Sequence, residues 1–164
     1  IVHVIRLYRE DGSNVDLCRR HAVESGKRIV APHSPGADLV EEIKPRGGQP
    51  LDHDRLLAGE IQRMADREWA VYKPRWGAFY GTELDAFLRK EGVDTVIVTG
   101  CNFPNCPRTT IYEASERDYR IVMAEDAVSG VYDRGAAELG NIGVRFMSTA
   151  EVLANIPGGS TARE

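Results

Sequence analysis

The order of elements along the chain predicts an α/β fold, a Rossmann-like and mostly parallel sheet covered by helices on both faces in three layers. Three observations carry this. Strand-like and helix-like segments alternate from Glu68 onward, which is the pattern of strands joined by helical crossovers. The segment VDTVIVTG, Val93 to Gly100, is a short apolar run without period-2 alternation, as a strand buried on both faces requires. The chain has 164 residues, 42% hydrophobic and 28% charged, enough for one domain with a full core.

The elements follow in order. IVHVIRLY (1–8) is β-rich and reads as a strand. REDGSNVD (9–16) is a turn or loop, and LCRRHAVESG (17–26) a short helix or ordered loop. PHSPGADLVEEIKPRGG (32–48) opens on Pro-Gly punctuation, carries a short helix and stops at Pro45. QPLDHDRL (49–56) reads as a polar loop, including its Asp52-His53-Asp54 cluster. EWAVYKP (68–74) is a strand ended by Pro74. In GTELDAFLRKEG (81–92), Leu84, Phe87 and Leu88 share a helix face, with Thr82 as N-cap and Gly92 as C-cap.

After VDTVIVTG comes a helix from Pro107 to about Asp118, then the strand YRIVMAED (119–126). The helix DRGAAELGNIG (133–143), the strand VRFMS (144–148) and TAEVLANI (149–156), which closes the core, complete the domain. That makes five strands. The domain runs over 1–156, and PGGSTARE (157–164) reads as a frayed, flexible tail. Ile1 opens in mid-strand, so we read it as an internal residue of a longer protein whose first strand is missing here.

Charge and composition exclude several classes. The net charge is −4, so no basic excess points to nucleic acid. No apolar run approaches the roughly 18 residues of a membrane span, and no signal-peptide pattern opens the chain. Three cysteines (Cys18, Cys101, Cys106) are few and odd in number, which fits free thiols in a reducing, cytoplasmic setting.

Two of those cysteines stand in TGCNFPNCPRTTIYEASERDYR, Thr99 to Arg120. Ligand sites in such folds lie beyond the carboxyl ends of strands, and this stretch follows one. Pro107 suits the first position of a helix, and a residue preceding proline is pushed to extended geometry. Cys106 therefore sits at or beside the N-cap, where the dipole and free N–H groups favour a thiolate. On local evidence it is open whether Cys106 is a nucleophile or a small buried hydrophobe. Cys101 reads as packing at the strand end. The cysteine spacing and the four histidines do not match a zinc pattern.

GCNFPNC (100–106) followed by PRTTIYEAS (107–115) resembles the cysteine loop of the isochorismatase-like cysteine hydrolases, the superfamily that includes N-carbamoylsarcosine amidohydrolase and nicotinamidase. The segment KPRWGAFYGTELDAFLRKEGVDTVIVTG (73–100) is similar to a second family motif, and AEDAVSG (124–130) to a third. Lys73 precedes Cys106 by 33 residues, which suits the family's lysine–cysteine pair. The resemblance implies Cys106 as nucleophile, Lys73 as its cationic partner, and the backbone N–H groups of Asn102 and Cys106 as oxyanion hole. It also implies a cis peptide at Cys101–Asn102. It gives the third catalytic residue as an aspartate at the end of the first strand, and no aspartate of this sequence matches it.

The implied activity is hydrolysis of a C–N bond in a small amide, ureido or N-carbamoyl substrate, without cofactor or metal, by a homodimer or homotetramer. The stretch LYREDGSNVD (7–16) lacks the histidines of the metal site found in nicotinamidases. The rival readings are a vinyl-ether hydrolase of the isochorismatase type and a catalytically silent homologue serving as a binding module. Arg75, Trp76 and Phe79 follow Lys73 and are expected as pocket wall, with Arg75 facing a substrate carboxylate or solvent. Phe103 stands where many relatives have threonine and is expected to shape the pocket. Arg108 faces either substrate or a neighbouring subunit.

Overall fold

The computed structural model describes residues 1–156, so the predicted tail 157–164 lies outside the described residues. It comprises two compact units, Ile1–Asp85 and Ala86–Glu164. Among the described residues, no helix is long and apolar enough to cross a membrane.

In the first unit, β1 (Val2–Ile5) pairs in parallel with β3 (Glu68–Tyr72), Val2 opposite Trp69 and Ile5 opposite Tyr72. The β2 strand (Gln62–Ala65) pairs antiparallel on the other side of β3. The sequence reading missed β2, and the reason is chemical. Its inward positions are Met64 and a glutamine, Gln62, only 4% exposed, so the apolar alternation is not visible. Gln62 is tolerated there because its amide is satisfied on both sides. Its Nε2 donates to Pro50 O at 2.7 Å and its Oε1 accepts from Asp52 N at 2.9 Å.

Helix α1 (Leu17–Glu24) forms where a short helix or an ordered loop was expected. The segment 32–48 does not hold a helix: its prolines and glycines leave two 3-10 turns, Pro35–Ala37 and Glu41–Ile43. Conversely, the expected loop 49–56 contains α2 (His53–Leu57), begun by Asp52, whose carboxylate accepts from Arg55 N at 3.1 Å. The Asp-His-Asp cluster is thus a helix start. The unit's core gathers Ile5, Leu7, Leu56, Met64 and Ala70, with a second cluster of Tyr8, Val15 and Val23.

Helix α3 (Leu84–Lys90) follows. Leu84 and Leu88 are buried, Thr82 Oγ1 accepts from Leu84 N at 3.3 Å, and Gly92 is left-handed with φ 71°, as the capping pattern predicts.

The second unit is parallel throughout. Strands β4 (Thr95–Gly100), β5 (Arg120–Val128) and β6 (Arg145–Met147) lie in that order, Val96 opposite Ile121 and Val122 opposite Arg145. Helices α4 (Cys106–Ser115) and α6 (Thr149–Asn155) pack on them, and α5 (Asp133–Gly140) joins β5 to β6. Ile111 and Ala114 of α4, Met123 and Ala124 of β5, and Leu139 of α5 form the core. The expectation that 149–156 closes this core is corrected: α6 is held by a Ser148–Glu151 capping box and buries no residue fully.

Among the described residues there are six strands against five expected, the difference being β2. Three of the four strand pairings are parallel, and helices flank them, so the α/β class holds.

Candidate active site

The residues singled out by sequence fall in two places, the loop after β3 and the loop between β4 and α4.

The second loop is short and closely tied. Phe103 N donates to Ser129 O at 2.7 Å and Ser129 N to Gly100 O at 3.1 Å, so the loop is laced to the chain leaving β5. Gly130 lies beneath it. A Cβ there would come within 3.7 Å of Pro104 and 4.0 Å of Asn102, and its φ is +72°. This accounts physically for Ser129 and Gly130 of the AVSG stretch, as the seat of the cysteine loop. The Cys101–Asn102 peptide is cis, as the resemblance implied.

Cys106 is the first residue of α4 and Pro107 the second, with Asn105 as N-cap. Sequence reasoning had put Pro107 first; the correction moves the thiol one position into the helix, still at its positive end. Among the described residues, the N–H groups of Asn102 and Cys106 donate no backbone hydrogen bond. For Cys106 this follows from its place in the first turn. Cys106 is part-buried, whereas Cys18 and Cys101 are exposed. Cys101 therefore does not pack the strand end as expected: the chain turns outward there.

Phe103 is 0% exposed. Its ring meets Tyr132 edge-on, 5.3 Å between centroids at 82°. It also presses on α5, where a Cβ on Gly135 would stand 2.5 Å from Phe103 Cε1. The ring expected at a pocket wall is an internal anchor for the loop instead. Arg108 pairs with Glu138 of α5 and donates to Tyr132 and, at 3.5 Å, to Tyr112. The hydrogen bonds it donates to Tyr112 and Glu138 raise its already high pKa. Its guanidinium thus ties α4 to α5.

On the loop after β3, Lys73 is 4% exposed, unlike an ordinary surface lysine. Its Nζ donates to Trp76 O. Arg75 donates to the carbonyls of Pro74 (2.6 Å) and Asn14 (3.3 Å), which neither solvent nor substrate explained in advance. Phe79 is buried, and Trp76 lies under the guanidinium of Arg19 at 4.7 Å.

Beside this loop is a carboxylate that sequence reasoning left unassigned. Asp16 is 4% exposed. Its Oδ2 accepts from Arg6 Nη2 at 3.0 Å and from Tyr8 OH at 2.5 Å. Burial opposes its charge, but the hydrogen bonds from Tyr8 and Arg6 and the charges of Arg6 and Arg75 prevail and lower its pKa. Tyr8 is pushed upward by burial and by its bond to Asp16. No periodicity marks Asp16: it is held by the polar side chains of Arg6 and Tyr8, and the Lys73 carbonyl that Arg6 also reaches lies 67 residues from that arginine.

Comparison with known proteins agrees with this architecture. A family model described as the isochorismatase domain matches residues 1–151. The crystal structure of an isochorismatase family protein from Desulfovibrio vulgaris is 32% identical, with a TM-score of 0.72 over 94% of this chain and 75% of that one. The N-carbamoylsarcosine amidase of Thermoplasma acidophilum is 25% identical, with a TM-score of 0.66 over 90% and 70%. A probable inactive nicotinamidase of Arabidopsis thaliana is 28% identical over 151 residues, 88% of this chain and 68% of that protein. The matched stretch spans 68% of that protein's length and 24% of the length of an N-carbamoylsarcosine amidase from Arthrobacter. The family model covers nearly the whole described chain, and the chain belongs to the isochorismatase family.

Proposed function

We propose that the protein containing this chain is a cysteine hydrolase that cleaves the C–N bond of a small amide, ureido or N-carbamoyl compound. The observation that carries the reading is the start of α4: a part-buried cysteine at the first helical position, with two backbone N–H groups of its own loop, those of Asn102 and Cys106, left without backbone acceptors among the described residues.

A free thiol, with a pKa of about 8.5, is mostly protonated near neutral pH, so the nucleophile needs cationic support. The helix dipole supplies part of it, and we assign Lys73 the rest, on the resemblance and on its burial at 4% exposure. The thiolate of Cys106 adds to the carbonyl carbon. The two N–H groups receive the oxyanion, each contributing about 3–4 kcal/mol at the transition state. The C–N bond breaks as the amine takes a proton, leaving an acyl-thioester that water hydrolyses. The thiol's own proton needs an acceptor. The resemblance gives that part to an aspartate that no residue of this sequence matches, so turnover is a property of the whole protein.

An amidase among the structural neighbours supports the reaction class. The Arabidopsis relative, described as probably inactive, favours a second reading, a silent homologue acting as a binding module. Ammonia release from a panel of ureido and N-carbamoyl acids separates the two. Cys106→Ala is expected to abolish release while leaving the circular-dichroism spectrum and melting temperature near those of the parent. Release that survives in Cys106→Ala overturns the nucleophile. No release from any member of the panel by the full-length parent favours the silent module.

A further inference from the structure

We propose that Asp16 is a positioning residue for Lys73, acting through two arms that both end on that lysine. The proposal rests on Lys73 as the cationic partner of the nucleophile, and its test separates the two claims.

The first arm runs through Arg6. Its Nη2 is held by Asp16 Oδ2 at 3.0 Å, and its Nη1 donates to the backbone carbonyl of Lys73 at 3.1 Å. One guanidinium thus bridges the carboxylate and the main chain of the lysine, a geometry that Arg's fixed fork allows. The second arm runs through Tyr8. Its hydroxyl donates to the same Oδ2 at 2.5 Å and accepts from Arg19 Nη1 at 3.0 Å. That bond sets the Arg19 guanidinium 4.7 Å over the ring of Trp76, and the carbonyl of Trp76 is the acceptor of Lys73 Nζ. One arm therefore holds the main chain from which the Lys73 side chain springs, and the other holds the residue on which its ammonium rests.

The carboxylate is suited to this work. Asp16 is the N-cap residue of α1, yet its side chain makes no capping hydrogen bond. Both donors fall on Oδ2, while Oδ1 is buried and has no partner among the described residues. A helix-start aspartate normally accepts from its own first turn; this one turns to Arg6 and Tyr8. Its own partners, Arg6 and Tyr8, stand just after β1, and through them it ties that stretch and α1 to the loop after β3 of the same unit.

The test uses the intact protein with two variants, Asp16→Asn and Tyr8→Phe, the second removing only a hydroxyl. Leu56→Ala serves as control, because it hollows the same unit's core and Leu56 is a member of neither arm. The primary readout is the Lys73 Hε/Cε signal by NMR. A fixed ammonium gives two distinct Hε shifts, and a mobile one a single averaged shift. Both variants are expected to collapse the Lys73 pair to one signal and to slow alkylation of Cys106 by about tenfold. Leu56→Ala lowers the melting temperature but keeps the pair. Two distinct Hε shifts retained in folded Asp16→Asn and Tyr8→Phe overturn the proposal, as does their loss in Leu56→Ala. Collapse of the pair in Asp16→Asn and Tyr8→Phe, with the Cys106 alkylation rate unchanged in both and in Lys73→Met, upholds the positioning role and removes Lys73 from the catalytic reading.

Discussion

His53 shows how a single side chain makes stability depend on pH. It is 6% exposed, its Nδ1 accepts from His33 N at 2.6 Å, and its Nε2 is buried without a partner among the described residues. Burial first, and the charge of His33 second, lower its pKa, while Asp38, Asp54 and Asp52 pull the other way. The unfolded chain therefore takes up this proton more readily than the folded one. The resulting stability is fully present above the unfolded value of about 6.5 and is lost as pH falls through the folded value. Urea midpoints measured at pH 7.5 and 5.5 are expected to drop in the parent and to drop less in His53→Asn. An equal drop in both contradicts the assignment. Asp16 obeys the same arithmetic in a more acidic window: its pKa too is lowered on folding, so its contribution is present above the unfolded carboxylate value and is lost as pH falls through the folded one.

At the scale of elements, the cysteine loop is anchored on α5 through Phe103, in addition to its seat on Ser129 and Gly130. The ring fills the space that a side chain on residue 135 would need, since a Cβ there would stand 2.5 Å from Phe103 and 2.8 Å from Tyr132. Gly135→Ala is expected to lower unfolding free energy by about 1–3 kcal/mol through overpacking, and Phe103→Ala by about 3–5 kcal/mol through a cavity. Because one mutation makes the room that the other needs, the double variant is expected to lose less than the sum of the singles. Simple additivity in urea unfolding contradicts the contact. Residue 135 carried no such message in the sequence, where a glycine inside a helical stretch reads only as a weak point. The same holds for β2, whose buried glutamine hides a strand behind a polar letter.

For the whole molecule, legibility followed the range of the interactions. Elements specified by local pattern were readable: the strand β4, the capped α3, the proline-marked start of α4 and the parallel alternation in the second unit. The expected burial of β4 on both faces is corrected, since Val98 is its one buried residue and Ile97 is exposed. The resemblance marked Cys106 and Lys73 by motif. What could not be read were long-range polar contacts, because no periodicity announces them. These include the carbonyl grips on Arg75, the pairing of Arg108 with Glu138, and the Asp16 network about the lysine. The outward turn of Cys101 is of this kind too, decided by how the loop is laced to Ser129.

That exposure pattern sharpens the test of the central claim, that Cys106 is the nucleophile. Accessibility alone ranks Cys18 and Cys101 ahead of the part-buried Cys106. Iodoacetamide labelling of the native protein near pH 7, resolved by peptide mass spectrometry, measures the three rates together. The expected result is Cys106 modified about ten times faster than either exposed thiol, because the attacking species is the thiolate. Labelling that follows exposure, with Cys18 and Cys101 reacting first and Cys106 last, would contradict it.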